Sequence, residues 1–402
     1  MVQPTIPAEE LGGGGRVDGG AAPARVLLVT AAMGSGHVQV SREVAQRLGA
    51  AGHETRVEDL NDLMVGPSGQ WLAHLYPWMV QRAPWLYDGI YRIFFKAPQD
   101  GGERVGIPAL AAMAGLRRVV REFRPDVVVS TYHIASQALG RLRSEGSLPV
   151  PVVTFVTTFG VHELWLHPAT DGYLCISPVV AGALGQRTSA PVRCCGPVVR
   201  PAFDPSRRDG EIRPRRRAGA RVALLVAGSL GLGPVERAAR LIAAAPGWRP
   251  VVVCGTNEEL RRRLASAGIT ALGWVDDMAA LMADADVLVD NAGGLTSKEA
   301  LAAGLPVVVF RPIAGHGRDD AMAMAALGVS VVVDDDRYLV PVLDRVSRPG
   351  PLREEQVRRG LDLFGGDAAA QLLALLADLG RTPARAGSCA SAARGSLPAA
   401  AR

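Results

Sequence analysis

His37 closes the run Met33-Gly34-Ser35-Gly36-His37, which follows the apolar stretch Val26–Thr30. Gly34 and Gly36 let backbone amides approach a ligand closely, and an imidazole with an ordinary pKa near ~6.5 takes a proton from a hydroxyl at neutral pH. A second run, Gly228-Ser229-Leu230-Gly231, follows Val222–Ala227 and offers amides to a pyrophosphate. The third, Asn291 to Ala300, holds Gly293, Gly294, Thr296, Ser297 and Glu299. Its glycines permit close backbone approach, and its hydroxyls sit at a helix start. Glu299, one turn in, suits the vicinal hydroxyls of a sugar, or serves as the carboxylate of a capping box. Arg311 to Asp320 brings His316, Asp319 and Asp320 to another helix start, where the carboxylates either oppose the macrodipole or grip hydroxyls. A dinucleotide fingerprint would need a third glycine where Gln39 stands, although Asp59 occupies the place of a ribose-binding acid. No Ser-His-Asp or Cys-His constellation offers a covalent nucleophile. Asp284-Ala285-Asp286 reads as helix capping, and no metal site is expected.

These residues follow short β-branched runs. Val26–Thr30, Thr55–Asp59, Asp126–Ser130, Val152–Thr157 and Tyr173–Ile176 alternate with Ala/Leu/Arg-rich helical stretches. The chain breaks at Gly196-Pro197 and stays Pro/Arg-rich to Ala218. A second series follows: Val222–Ala227, Pro250–Cys254, Val287–Asp290, Val307–Phe310 and Val331–Val333. Near-continuous apolar strands are covered on both faces, the mark of parallel sheets flanked by helices. The expectation is an α/β protein of two Rossmann-like domains with an interdomain cleft. The first spans 24–196, a linker 197–218, and the second 219–380, whose last helix packs back on the first. Segments 1–23 and 381–402 are expected to be disordered tails.

Composition narrows the partners. The net charge of +5 is carried almost wholly by arginine, Lys96 and Lys298 being the lysines. The one dense basic run, Arg213 and Arg215–Arg217, lacks interleaved aromatics and reads as a solvated linker, so no nucleic acid is expected. Five cysteines without a C-x-x-C pair fit a reducing cytosol. No apolar run reaches the ~18 residues of a spanning helix.

Taken in order, the motifs resemble a GT-B glycosyltransferase group: the monogalactosyldiacylglycerol synthases and the bacterial N-acetylglucosaminyltransferase that makes lipid II. G-S-G-H at 34–37 resembles the group's Gly-Gly-His loop, and Thr157-Thr158 with His162, Trp165 and His167 its T-T-x-H-x-x-W-x-H stretch. Gly196 to Phe203 resembles its interdomain segment, and G-G-L-T-S-K-E at 293–299 its donor motif. The resemblance implies His37 as the base and Gly34, Gly36, His162 and Trp165 on the acceptor side. It implies donor contacts at Gly228, Ser229, Gly231, Val275, Gly293, Gly294, Thr296, Ser297 and Glu299. His316, Asp319 and Asp320 stand where the group carries sugar-contacting Gln or Asn, which leaves the sugar open. An Asp usual near Thr157 is missing.

Residues 71–95 hold eight aromatics, among them Trp71, Trp78, Trp85, Phe94 and Phe95, punctuated by Arg82 and Arg92, with Lys96 just beyond. They read either as a helical hairpin packed into the first domain or as a face for a bilayer interface. The resemblance favours the membrane. The resulting expectation is an inverting UDP-sugar-dependent hexosyltransferase acting on a lipid hydroxyl such as that of diacylglycerol. It would need no cofactor beyond its co-substrate, and would be cytoplasmic and peripherally membrane-associated. A soluble small aglycone is the alternative acceptor; a nucleotide-binding oxidoreductase and a non-catalytic nucleotide-sugar-binding protein are the other classes.

Overall fold

The computed structural model describes residues 23–33, 35–95, 106–205, 219–226 and 228–380. Gly34, Lys96, most of the expected linker and nearly all of both expected tails lie outside the described residues. The first domain runs β1 (Arg25–Thr30), α1 (Ser35–Ala50), β2 (Glu54–Asp59), α2 (Leu60–Leu63), α3 (Ser68–Arg82), α4 (Pro84–Phe94) and α5 (Ile107–Phe123). It continues through β3 (Val127–Ser130), α6 (His133–Ser144), β4 (Val152–Val156), β5 (Gly172–Cys175), α7 (Pro178–Gly185) and β6 (Val192–Cys194). The second runs β7 (Arg221–Val226), α8 (Val235–Ala243), β8 (Trp248–Val253), α9 (Glu258–Ser266), β9 (Thr270–Leu272), α10 (Met278–Ala283) and β10 (Val287–Asp290). It ends with α11 (Leu295–Ala302), β11 (Val307–Phe310), α12 (His316–Ala326), β12 (Val331–Val333), α13 (Asp336–Ser347), α14 (Pro351–Leu361) and α15 (Ala368–Asp378).

Each domain is a six-stranded parallel sheet, ordered β2-β1-β3-β4-β5-β6 and β12-β11-β10-β7-β8-β9. The ten expected strands are present. The structure adds β6 and β9, three-residue edge strands with no apolar run to announce them. Central strands such as β3 are buried throughout, because helices cover both faces. Both first strands are pinned alike. Asp126 accepts from the Arg25 amide at 2.7 Å, and Asp286 from the Val222 amide at 2.7 Å. Asp286 therefore ties two strands together instead of capping a helix, and Asp284 stands at the C-terminal cap of α10.

The chain crosses between the domains twice. The segment after β6 leads into the second domain, and α15 returns to the first. Leu375 packs on Gly172, and Asp378 pairs with Arg193 at 2.6 Å. The two crossings touch. A Cβ on Gly196 would lie 2.5 Å from the Leu363 carbonyl oxygen, and one on Gly366 2.7 Å from that of Cys195.

The switch points of the two sheets, between β1 and β3 and between β7 and β10, follow from the strand orders. Ligands in open α/β sheets bind at the carboxyl ends of strands near such points. Every glycine-rich run singled out in the sequence lies there.

Candidate active site between the domains

His37 stands in the first turn of α1. Its Nδ1 lies 2.9 Å from the Thr131 carbonyl oxygen, at the end of β3. A carbonyl only accepts, so Nδ1 carries the proton and Nε2 keeps its lone pair. Thr131 is itself held by Ser41 across 2.7 Å, and Tyr132 meets the imidazole edge-on at 5.5 Å. Burial, helped by the charges of His316 and Lys298, lowers the His37 pKa to about 4. The ring is a neutral base at neutral pH.

The amino ends of α1 and α11 meet here. A Cβ on Gly36 would touch Leu295 Cβ at 3.5 Å. Two helix N-termini facing one cleft favour an anion. In the turn before α11, Gly293 has φ +68°, a conformation that suits glycine. The Asp290 carboxylate accepts from the Gly293 amide at 2.9 Å and from the Ser297 hydroxyl at 2.6 Å. Ser297 is thus turned into the fold, whereas Thr296 remains partly exposed. Lys298 is buried; its ammonium donates to the Gly293 carbonyl at 3.2 Å and lies 3.9 Å from Asp320. Burial lowers its pKa, opposed by Asp320 and Asp290.

Glu299 is buried and lies beyond the capping-box position, because Gly294 is the helix cap. Its two oxygens accept from Arg200 Nε at 2.6 Å and Nη2 at 3.0 Å. Burial pushes the Glu299 pKa up and Arg200 pulls it down. Arg200 also reaches the Asp276 carbonyl at 3.4 Å, which places Val275 in the adjoining loop. Gly228, Ser229 and Gly231 form the turn after β7, packed on the loop after β8 through a 2.9 Å bond from the Thr256 amide to the Ser229 carbonyl.

The α12 end is sewn to the first domain. Tyr87 pairs with His316 Nδ1 at 2.5 Å, and the Tyr91 hydroxyl donates to Asp319 at 2.8 Å. Asp320 accepts from the Phe159 amide and from the Gly160 amide at 2.9 Å. Burial raises the Asp320 pKa to about 6 and lowers that of His316 to about 4. The three residues expected to meet a sugar all have partners across the cleft.

Beside His37, His162 stacks on Trp165 at 5.6 Å, with His133 at 5.1 Å and Phe95 at 4.9 Å. His162 Nδ1 is buried without a hydrogen-bond partner. Burial first, then neighbouring histidines, hold His133 and His162 neutral. His167 has a packing role: Gly140 lies so close that a Cβ would meet its ring at 2.2 Å.

The aromatic segment divides between the two readings of the sequence. On α4, Tyr87 and Tyr91 are buried against the cleft, while Trp71, Trp78 and Trp85 are 71%, 53% and 75% exposed. Phe95 is partly buried, and the Phe94 side chain lies outside the described ones. Arg92 is exposed and pairs with Asp88 at 2.7 Å. Asp59, the acid of the dinucleotide reading, accepts from the Ala32 and Asn61 amides and caps α2. The sequence reading missed Arg200, His133, Lys298 and Asp290; Arg200 and Lys298 lay within motifs already singled out.

Comparison with known proteins agrees with this geometry. The family model described as "Monogalactosyldiacylglycerol (MGDG) synthase" matches residues 37–199, and "Glycosyl transferases group 1" matches 223–335. A processive diacylglycerol beta-glucosyltransferase of Bacillus cereus (strain G9842) is 26% identical over 330 residues, covering 78% of this chain and 82% of that protein. One from Bacillus thuringiensis (strain Al Hakam) is 25% identical over 334 residues, with the same coverage. Among solved structures, the glycotransferase of kitacinnamycin superposes with TM-score 0.57 at 20% identity, covering 88% of this chain and 98% of that one. Acinetobacter baumannii MurG gives 0.56 at 18% identity, with 89% and 99% covered. With two parallel-sheet domains meeting at their switch points and family models matching both in chain order, the chain is a GT-B glycosyltransferase resembling the monogalactosyldiacylglycerol synthase group.

Proposed function

We propose that the protein transfers a hexosyl group from a UDP-sugar to a lipid hydroxyl such as that of diacylglycerol, with inversion, at a membrane surface. The observation that carries this reading is His37: Nδ1 tied to the Thr131 carbonyl, Nε2 left as a neutral base, and the amino end of α11 across the cleft. The acceptor hydroxyl would give its proton to Nε2 as its oxygen attacks the anomeric carbon. The bond from that carbon to the diphosphate breaks, and UDP leaves with the electron pair. The amides at Gly294–Thr296 and Gly228–Leu230 would meet the charge that develops on the leaving group. An unliganded His37 is a weak base, but an arriving diphosphate would place negative charge beside the imidazole, offset the Lys298 ammonium and raise its pKa. Glu299 keeps lone pairs beyond the two that Arg200 uses, enough to accept from a ribose diol. No resident cofactor takes part in this reading. The neutral box of His133, His162 and Trp165 suits an uncharged acceptor.

The lipid acceptor rests on the names of the relatives and on the exposed Trp71, Trp78 and Trp85. Among the described residues no single helix is long and apolar enough to cross a membrane, so attachment would be peripheral. The test incubates the protein with vesicles of phosphatidylglycerol and diacylglycerol and a panel of UDP-hexoses, followed by mass spectrometry of the lipids. One hexose added per diacylglycerol is expected. Sugar found only on a soluble hydroxyl compound would overturn the acceptor.

A further inference from the structure

Cys175 ends β5 and Cys194 ends β6, and the parallel register sets them opposite each other. Both belong to one side of the sheet, packed with Val156, Trp165 and Val180, Cys175 buried and Cys194 partly exposed. Neighbouring strands run about 4.8 Å apart, inside the ~4.4–6.8 Å Cα separation that a disulfide spans. The Cys175 thiol donates to the Ser177 and Arg193 carbonyl oxygens at 3.5 and 3.6 Å. The neighbouring Cys175 thiol, and with it the Gly196 amide, pulls the Cys194 pKa below the usual thiol range. The nearness of Cys194, and then burial, pushes that of Cys175 up. Cys195 belongs to the opposite core, its sulfur 3.3 Å from the Cys175 carbonyl oxygen, and Cys254 is buried in the other domain.

We propose that Cys175 and Cys194 form an oxidation site at the edge of the first sheet, a dithiol that a hydroperoxide converts into a disulfide. The Cys194 thiolate attacks the peroxide O–O bond, takes one oxygen as a sulfenic acid, and the other oxygen leaves as water (or as an alcohol). The Cys175 sulfur then attacks the Cys194 sulfur. The S–S bond forms, hydroxide departs, and it leaves as water with the Cys175 proton. Two thiols are oxidised and one hydroperoxide is reduced. Aligned parallel strands hold their Cβ atoms farther apart than a relaxed disulfide prefers, so β6 must shift slightly. A three-residue edge strand allows that shift. The residual strain keeps the bond easy to reduce, the property of labile rather than structural disulfides.

The test uses the full chain, reduced, desalted and treated with hydrogen peroxide at pH 7, then alkylated and digested without reductant for mass spectrometry. A Cys175–Cys194 cross-link is expected, lost on adding dithiothreitol, with Cys194 consumed ~10-fold or more faster than Cys254. Cys175→Ala should instead accumulate a Cys194 sulfenic acid trapped by dimedone. Cys195→Ala should keep the cross-link, which separates it from a Cys194–Cys195 bond sharing the same peptide. A Cys194–Cys195 bond, an intermolecular disulfide, or Cys194 oxidised to sulfinic acid with Cys175 still alkylated would overturn the proposal. The wild-type cross-link decides the matter even if a variant fails to fold.

Discussion

Replacing Arg200 with methionine should be costly at neutral pH and much less so in mild acid. The Glu299 side chain is 3% exposed and that of Arg200 29%, so the carboxylate is the desolvated partner. Removing one side of a buried pair costs about 3–5 kcal/mol, because the remaining charge is left unpaired. Protonation sets a ceiling on that penalty. A carboxyl with an unfolded pKa near ~4.3 costs about 3.7 kcal/mol to protonate at pH 7, and about 1 kcal/mol at pH 5. With water reaching the outer side of the Arg200 site, about 2–3.5 kcal/mol is expected at pH 7 and no more than about 1 at pH 5. Glu299→Gln leaves a half-wetted arginine with a neutral acceptor and should cost about 1 kcal/mol or less at either pH. The double variant should regain most of the Arg200→Met loss, since no buried charge remains. Equilibrium urea unfolding at the two pH values reads all three. Equal costs for the two single variants, or a penalty for Arg200→Met that ignores pH, would refute the reasoning.

Other outcomes follow from the same geometry. His37→Ala should lower turnover by ~10²-fold or more while UDP affinity, by calorimetry, stays near wild type; near-normal turnover would remove His37 from the base's role. Burial depresses the folded pKa of His37 and His316 to about 4, below the unfolded value, so the unfolded chain binds more protons between there and ~6.5. Their stabilisation is complete above ~6.5 and is lost as pH falls through that window. Asp320, raised to about 6, acts in the opposite sense and recovers part of it. The thermal midpoint should therefore fall on acidification below ~6.5, and a flat profile to pH 4 would contradict the burial of the histidines. Vesicle flotation with anionic lipid should be partly salt-resistant in the wild type, and Trp78→Ser with Trp85→Ser should abolish the resistant part.

The central strands were legible because burial on both faces writes a continuous apolar run, as in Val127–Ser130 and Val152–Val156, whereas the edge strands Val192–Cys194 and Thr270–Leu272 are not fully buried and carry none. The glycine-rich turns were legible because backbone approach requires glycine. What the sequence hid was pairing across the cleft. Glu299 announced a carboxylate on a helix, but nothing local announced that Arg200, 99 residues earlier, would hold it. Likewise His316, Asp319 and Asp320 read as ligand-binding groups because their partners, Tyr87, Tyr91 and the Phe159–Gly160 turn, come from a different domain. The aromatic segment read ambiguously because it is used in two ways, Tyr87 and Tyr91 buried against the cleft and Trp71, Trp78 and Trp85 exposed on the other side of the same helix pair.

The backbone contact at Gly196 and Gly366 has a mechanical consequence. Two rigid bodies joined by one flexible strand retain nearly all their relative freedom. Joined by two strands that press against each other, they keep one easy motion, a swing about the line through the contact. Gly196, at φ +74° and with no room for a methyl group, lies on that line. The tyrosine and Asp320 bonds lie on the cleft side of it and act like the clasp of a book whose spine is the double crossing. Lengthening either crossing would add twist to the swing, and the carboxyl ends of the two sheets would lose their registration, with His37 no longer returning to the same place opposite α11 at each closure.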